Sequence, residues 1–212
     1  MEGKGIYYYI NGDKYEGDFL NDKKKGKGIM YYKNGDKYVG DFNNDKIEGV
    51  GIMYYKNGDR YEGDWKIGMK EGKGMFHFKS GDIYEGDWFY DKKDGEGKYY
   101  YKNGDRYEGE WEKDIKFGKG IFYFKNGEKY EGNINNDKVE GKGKYTYKNG
   151  DIYEGYYENG INNGKGIYYY HSGGRYDGNF KNGKKHGHGI YYNKKGKVKT
   201  GYWENDKYKG FV

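Results

Sequence analysis

The sequence predicts an all-β fold, an elongated single-sheet solenoid of antiparallel β-hairpins, and three observations carry that expectation. A glycine-and-tyrosine pattern returns every 23 residues, starting at Tyr15, Tyr38, Tyr61, Tyr84, Tyr107, Tyr130, Tyr153 and Tyr176, with a degenerate ninth start at Lys199. Each period holds two short runs rich in aromatic and β-branched residues, which read as strands. No run is long enough for a helix, and none shows a 3.6-residue period. A fixed period of this length marks a repeat architecture, in which each unit buries its apolar face against its neighbours.

The elements follow in order. Residues 1–14 form a partial repeat, because Glu2-Gly3-Lys4-Gly5 matches the second strand of a unit whose first strand is missing. About nine repeats follow to residue 212. One unit reads Tyr38-Val39-Gly40-Asp41-Phe42, then a polar stretch, then Gly49-Val50-Gly51-Ile52-Met53-Tyr54-Tyr55, then Lys56-Asn57-Gly58-Asp59. The polar stretch reads as a loop. Asn-Gly between two apolar runs predicts a two-residue type I′ turn, since both positions accept φ > 0. At about 4.8 Å per strand, nine repeats would make a rod of roughly 85 Å. Alternation places Tyr61, Gly63 and Trp65 on one face and Glu62 and Asp64 on the other. The glycine leaves a slot that a ring from a neighbouring strand is expected to cross. Runs such as Tyr7-Tyr8-Tyr9 and Tyr99-Tyr100-Tyr101 are aromatic on both faces, so either sheet twist or a partner must cover the second face.

Composition narrows the function classes. Aromatic residues make up 21% of the chain and glycine numbers 41, so the core must be built from rings with glycine as spacer. The absence of cysteine excludes disulfides, thiolate catalysis and cysteine-type zinc sites. No apolar run is long enough to span a membrane as a helix, and no signal peptide is visible, so a cytoplasmic protein is expected. The net charge is +6, and the positive excess lies beyond residue 169. Over the rest of the chain the charges nearly cancel, which argues against nucleic acid as a partner. Glu16, Glu62, Glu85, Glu108 and Glu131 recur as a row, which no active site requires; a solvated, salt-linked face accounts for them. Gly-x-Gly opens a dinucleotide site only between a strand and a helix, and no helix follows here.

Tyr61-Glu62-Gly63-Asp64-Trp65, followed by Gly72-Lys73-Gly74 and Gly81-Asp82, resembles the MORN repeat, and the likeness covers essentially the whole chain. It departs at Val39, which replaces glutamate, at Ile134, which replaces the second aromatic, and at Glu128, which replaces aspartate. The resemblance implies a β-hairpin solenoid with no enzymatic activity of its own. Its role would be a structural or cytoskeletal scaffold that binds itself and other cytoskeletal proteins. The alternative it implies is a phospholipid- or phosphoinositide-binding, membrane-targeting module at the inner face of a membrane. Proteins built only of MORN repeats, notably cytoskeletal scaffolds of protist and in particular apicomplexan parasites, are similar to this chain. The mid-repeat start leads to the expectation that the chain is the C-terminal part of a longer array and that Met1 is not its native first residue.

The pattern fails towards the C-terminus, and the candidate sites lie there. Asp177 replaces glutamate, Gly174 replaces aspartate, and Lys199-Thr200 replaces Tyr-Glu. An unpaired strand edge must be blocked or paired. Pairing with a second copy predicts an antiparallel, two-fold homodimer through the C-terminal repeats. Its interface is expected to use Tyr176, Phe180, Tyr191, Tyr202, Trp203, Tyr208 and Phe211. Lysines mark the stretches expected to be long loops, as Lys23-Lys24-Lys25, Lys92-Lys93 and Lys184-Lys185. Of these, Lys184 and Lys185, with Lys194 and Lys195, are the candidate contacts for anionic headgroups. His186 and His188 lie two apart, on one face of a strand, and across a two-fold axis they could supply four zinc ligands. No other cofactor is expected.

Overall fold

The computed structural model describes residues 2–211; Met1, with the expectation about the native start, and Val212 lie outside them. Among the described residues the chain is all-β, with nineteen strands in an open antiparallel sheet. Among the described residues no helix is long and apolar enough to cross a membrane. The strands fall into two compact units. The first runs to Lys102 and includes Trp111–Asp114; the second holds Asn103–Glu110 and the chain from Ile115 onward. Within each unit consecutive strands pair as a meander, and a full repeat supplies a shorter and a longer strand, as in Lys37–Asn43 and Lys46–Tyr54.

The core of each repeat rests on a pair of glycines. Gly40 and Gly51 face each other across neighbouring strands. The Tyr38 ring lies over both, and a Cβ on either would fall on that ring. Tyr38 is fully buried, and its hydroxyl donates to the Asp41 carbonyl at 3.1 Å. The same bond forms from Tyr15 to Asp18 at 3.0 Å and from Tyr176 to Asn179 at 3.1 Å. The slot is therefore filled by the ring two residues earlier on the same strand, not by one from a neighbouring strand. A tyrosine there reaches both glycines and still satisfies its hydroxyl. The rings then stack edge-on along the chain. Tyr61 meets Trp65 of its own repeat at 5.1 Å and Trp88 of the next at 5.2 Å. Such pairs add roughly 0.5–1.5 kcal/mol each beyond the area they bury.

The two turn types are the reverse of the sequence expectation. At Asn11-Gly12 only the glycine is left-handed, with φ 95°. Gly12 N–H donates to the Tyr9 carbonyl at 3.0 Å and Tyr9 N–H to the Asp13 carbonyl at 2.9 Å. This is a three-residue loop, a type I turn closed by a glycine bulge. Asn11 favours it because its side-chain oxygen accepts the Asp13 N–H at 3.0 Å. The type I′ turns lie at the other end of the strands, where a loop was expected. Asn44 and Asp45 have φ 45° and 68°, and Asn43 pairs directly with Lys46 across them. The polar stretch expected to be a loop is thus a two-residue turn flanked by strand. Lys23-Lys24-Lys25, Lys92-Lys93 and Lys184-Lys185 accordingly open strands rather than mark loops.

Both turn edges are tied from repeat to repeat by carboxylates. On the Asn-Gly edge, Asp13 accepts the Lys33 N–H and Asp36 the Lys56 N–H, both at 2.8 Å. On the type I′ edge, Asp45 accepts the Lys24 N–H at 2.9 Å and returns its own N–H to the Lys24 carbonyl at 3.1 Å. The same exchange joins Asp91 to Lys70 and Asp206 to Lys185. Charge-assisted bonds of this kind are about twice as strong as neutral ones. The Lys102 N–H holds the Asp82 carboxyl below its ordinary range, helped by the Tyr99 hydroxyl.

Two outcomes follow. Gly51→Ala should cost about 1–3 kcal/mol by forcing a methyl group against the Tyr38 ring, whereas Val50→Ala, on the open face, should stay within about 0.5 kcal/mol; equal melting temperatures for the two variants would refute this packing. Burial pushes the Tyr15 and Tyr176 hydroxyls up to about 12. Unfolded tyrosines ionise near pH 10, so stability present below about pH 10 is lost as pH rises towards the folded values. An absorbance titration should therefore show a block of tyrosines ionising only together with loss of strand signal; smooth ionisation of every tyrosine in the folded chain would refute it.

Candidate interaction surface

The two faces of the sheet differ in what they leave open. The tyrosine face is closed by its own rings. On the opposite face one side chain per strand forms a row across the sheet. In the first unit it runs Ile6, Glu16, Ile29, Val39, Ile52, Glu62, Met75 and Glu85, each paired with the next. Carboxylates interrupt the row except at Val39, where a valine stands in the carboxylate position. Ile29, Val39 and Ile52 thus become three consecutive apolar cross-strand neighbours.

A second departure falls at the same place. The residue between the two glycines is Lys4, Lys27 or Lys73 in the neighbouring repeats, but Val50 here. Val50 lies two residues before Ile52 on one strand, so both point to the same face. Together these residues line a shallow groove of about 810 Å³ that extends from the strand Gly3–Tyr8 to the strand Arg60–Lys66. Ile6 and Val50 are each 54% exposed in it. Ion pairs border the groove: Lys14–Glu16 at 2.6 Å, Lys27–Asp41 at 2.7 Å and Arg60–Glu62 at 3.3 Å. Lys37 lies over the Tyr54 ring, 4.7 Å from its centre. The floor is apolar and the rim is polar and carries three ion pairs, which is the layout of a protein-recognition patch. In the second unit the row reads Ile121, Glu131, Lys144, Glu154, Ile167, Asp177, Ile190 and Thr200. No two apolar residues are consecutive there, and the groove at its end is smaller, about 530 Å³.

The residues expected at a dimer interface divide between core and edge. Tyr176, Phe180 and Trp203 are buried in the closed face, with Tyr176 5.3 Å from Phe180 and 5.2 Å from Trp203. They continue the core row and present no surface to a partner. Tyr191 is half-buried beside Trp203. Tyr208 packs on Trp203 at 5.3 Å and donates to the Thr200 carbonyl at 2.8 Å. Phe211, just past the last strand, is 83% exposed. That strand, Lys207–Gly210, has only four residues, and it pairs with Val198–Glu204.

The four expected headgroup lysines are not brought together. Lys184 opens the strand Lys184–Asn193, and Lys194 and Lys195 follow its far end. Ten residues of strand place them roughly 30 Å apart. Lys185 is engaged internally, its Nζ donating to the Tyr170 hydroxyl at 3.0 Å and lying 5.0 Å from the Trp203 ring centre. His186 and His188 share a face, with ring centres 6.2 and 5.7 Å from that of Tyr202. Among the described residues no group of three His, Asp or Glu side chains is placed to hold a metal.

The groove was visible in the sequence as two breaks in the repeat, Val39 and Val50, but only the register shows that they adjoin.

Comparison with known proteins places the chain. The MORN repeat model matches nine segments: residues 1–14, 15–37, 38–60, 61–83, 84–106, 107–129, 130–152, 153–175 and 176–198. No curated protein matches the sequence. Among solved structures, the wild-type TCP10 domain of Danio rerio CPAP is 12% identical over 93% of this chain and 94% of its own, with a TM-score of 0.55. The same domain in complex with a peptide of Danio rerio STIL is 13% identical over 95% and 96%, with a TM-score of 0.42. The TCP10c domain of Drosophila melanogaster Sas-4 is 14% identical over 95% and 99%, with a TM-score of 0.38. Only the first likeness has a TM-score above 0.5, and at 12% identity it shows a shared fold alone. The repeat matches, which run without a gap from residue 1 to residue 198, show that the chain belongs to the MORN-repeat family.

Proposed function

We propose that this chain is a non-enzymatic interaction scaffold that takes protein segments in the open-face groove of its first unit. The observation that carries the reading is the coincidence of Val39 and Val50, which turns a charged row into an apolar floor. The carboxylates support it too. Asp13, Asp36, Asp41 and Asp45 each accept a backbone N–H and so serve the fold rather than acid–base chemistry.

Self-association through the last repeat belongs to the same reading. The short final strand and the exposed Phe211 offer an edge that a second copy can extend about a two-fold axis. A cytoplasmic, cytoskeleton-associated setting suits such a scaffold. Headgroup binding has no single site to rest on, because its expected lysines sit at opposite ends of one strand.

Panning the full chain against a random peptide library should select peptides with two or more apolar side chains. Val39→Glu, which restores the carboxylate of the repeat, should weaken them at least about tenfold, the effect of roughly 1.4 kcal/mol. Equal binding to the variant would place the site elsewhere, and selective co-sedimentation with phosphoinositide vesicles would favour the membrane reading. Light scattering of the intact chain should give twice the chain mass, and deleting residues 199–212 should halve it. A monomeric intact chain at high concentration would overturn the dimer.

A further inference from the structure

The groove of the first unit has an open carboxylate at one end. A second row of side chains runs along the open face, beyond the paired glycines from the row that holds Val39. In it a lysine and an aspartate face each other across neighbouring strands: Lys4 and Asp18, Lys27 and Asp41, Lys73 and Asp87. In Asp41 and Asp87 the two carboxylate oxygens do different work. Asp41 Oδ2 accepts the Val50 N–H at 3.0 Å, while Asp41 Oδ1 holds the Lys27 ammonium at 2.7 Å. In Asp87 one oxygen accepts the Glu96 N–H at 3.0 Å and the other holds the Lys73 ammonium at 2.6 Å. The first bond serves the fold, and the second neutralises the side chain.

Asp64 has the first bond without the second. Its Oδ2 accepts the Lys73 N–H at 2.9 Å. The residue facing it across the strands is Val50, where the neighbouring repeats carry lysine. Among the described residues no lysine or arginine forms an ion pair with Asp64. Glu62, the other carboxylate at this end of the groove, is held by Arg60 at 3.3 Å. Asp64 is half-buried beside the valine, a setting in which a charge pair is stronger than in open water. Val50 therefore does two things at once: it extends the apolar floor and leaves a carboxylate next to it uncompensated.

The geometry sets the spacing of what can dock. The groove runs across the strands, over Gly28, Gly40 and Gly51 between the two rows. Ile29, Val39 and Ile52 sit on three successive strands, and Asp64 sits on the next. At about 4.8 Å per strand, Ile29 and Asp64 are roughly 14 Å apart along the groove. An extended segment advances about 3.3 Å per residue and turns alternate side chains to one face. Apolar side chains at two alternate positions thus cover the floor, and the next alternate position comes level with Asp64.

We propose that the groove selects an extended partner segment with apolar side chains at two alternate positions and a lysine or arginine at the next, whose cation pairs with the open oxygen of Asp64. The proposal rests on the groove as the docking site and names the chemistry of what docks: the partner supplies the cation that position 50 lacks. The full chain should be titrated with a short serine-flanked peptide carrying leucine at two alternate positions and lysine at the next, following the methyl resonances of Val39 and Ile52 by NMR. A second peptide carries acetyllysine in place of lysine, which removes the charge. Both should shift the methyl resonances saturably, and the lysine peptide should bind about fivefold more tightly at low salt, the upper range for a pair that is partly open to water. Added salt should shrink that advantage. Asp64→Asn, whose amide oxygen still accepts the Lys73 N–H, and Val50→Lys, which restores the lysine of the repeat, should each bring the two peptides to equal affinity while retaining the strand spectrum. Equal binding of the two peptides by the unaltered chain would overturn the carboxylate anchor and leave the groove standing. No saturable shift with either peptide would overturn both. A preference for lysine kept by both folded variants would overturn the part given to Asp64.

Discussion

Everything in this structure depends on a close approach between two glycines. Where Gly40 meets Gly51, neither strand carries a Cβ, and a tyrosine ring lies flat over the bare backbone with its hydroxyl bonded to the carbonyl three residues along. The arrangement makes a core from one layer. Ordinary sheets bury a face by stacking a second layer upon it; here the covering layer is the ring of the same strand, locked by the second aromatic of its own repeat and of the next. Because each ring is shared between repeats, no repeat is complete alone, and stability comes mainly from neighbour contacts.

That economy decides where recognition can occur. The closed face spends its aromatics on itself, and this explains why Tyr176, Phe180 and Trp203 lie in the core rather than at an edge. The open face has no core duty, so its side chains vary without breaking the fold. Most repeats set charges there. Around Val39 the charges give way to aliphatic residues, and the sheet acquires an apolar floor that no second layer covers. Substitution on the open face is thus the means by which one scaffold can take different partners.

The fold class, the period and the hairpin meander could be read from the sequence because they rest on spacing, and spacing is what a repeat preserves. The turns could not. Asn-Gly satisfies a type I′ turn and a glycine-bulged type I turn equally well by residue preference. The choice at Asn11-Gly12 falls to Asp13, which caps the next repeat and needs the longer loop to reach it. The polar stretch after Phe42 looked like a loop because lysine and asparagine are rare in buried strands. In fact only one face of that strand is buried, and Lys46 and Glu48 point away from it. The groove was half legible. Val39 stood out as a departure, but its adjacency to Val50 depends on strand register, which local pattern does not set.

The link between each lysine and the aspartate 21 residues later has a consequence for how such arrays can change. The two residues belong to successive repeats, yet they vary together: Ile47, Val139 and Asn162 are followed at that distance by Gly68, Gly160 and Gly183. A segment excised at the tyrosine boundaries would separate a lysine's backbone N–H from the aspartate that accepts it at one seam and strand an aspartate at the other. The transferable cassette is therefore offset from the visible period. It straddles two repeats, from the lysine position to the next primed turn, and duplication, recombination or grafting in frame with that offset would leave every internal bond of this kind intact.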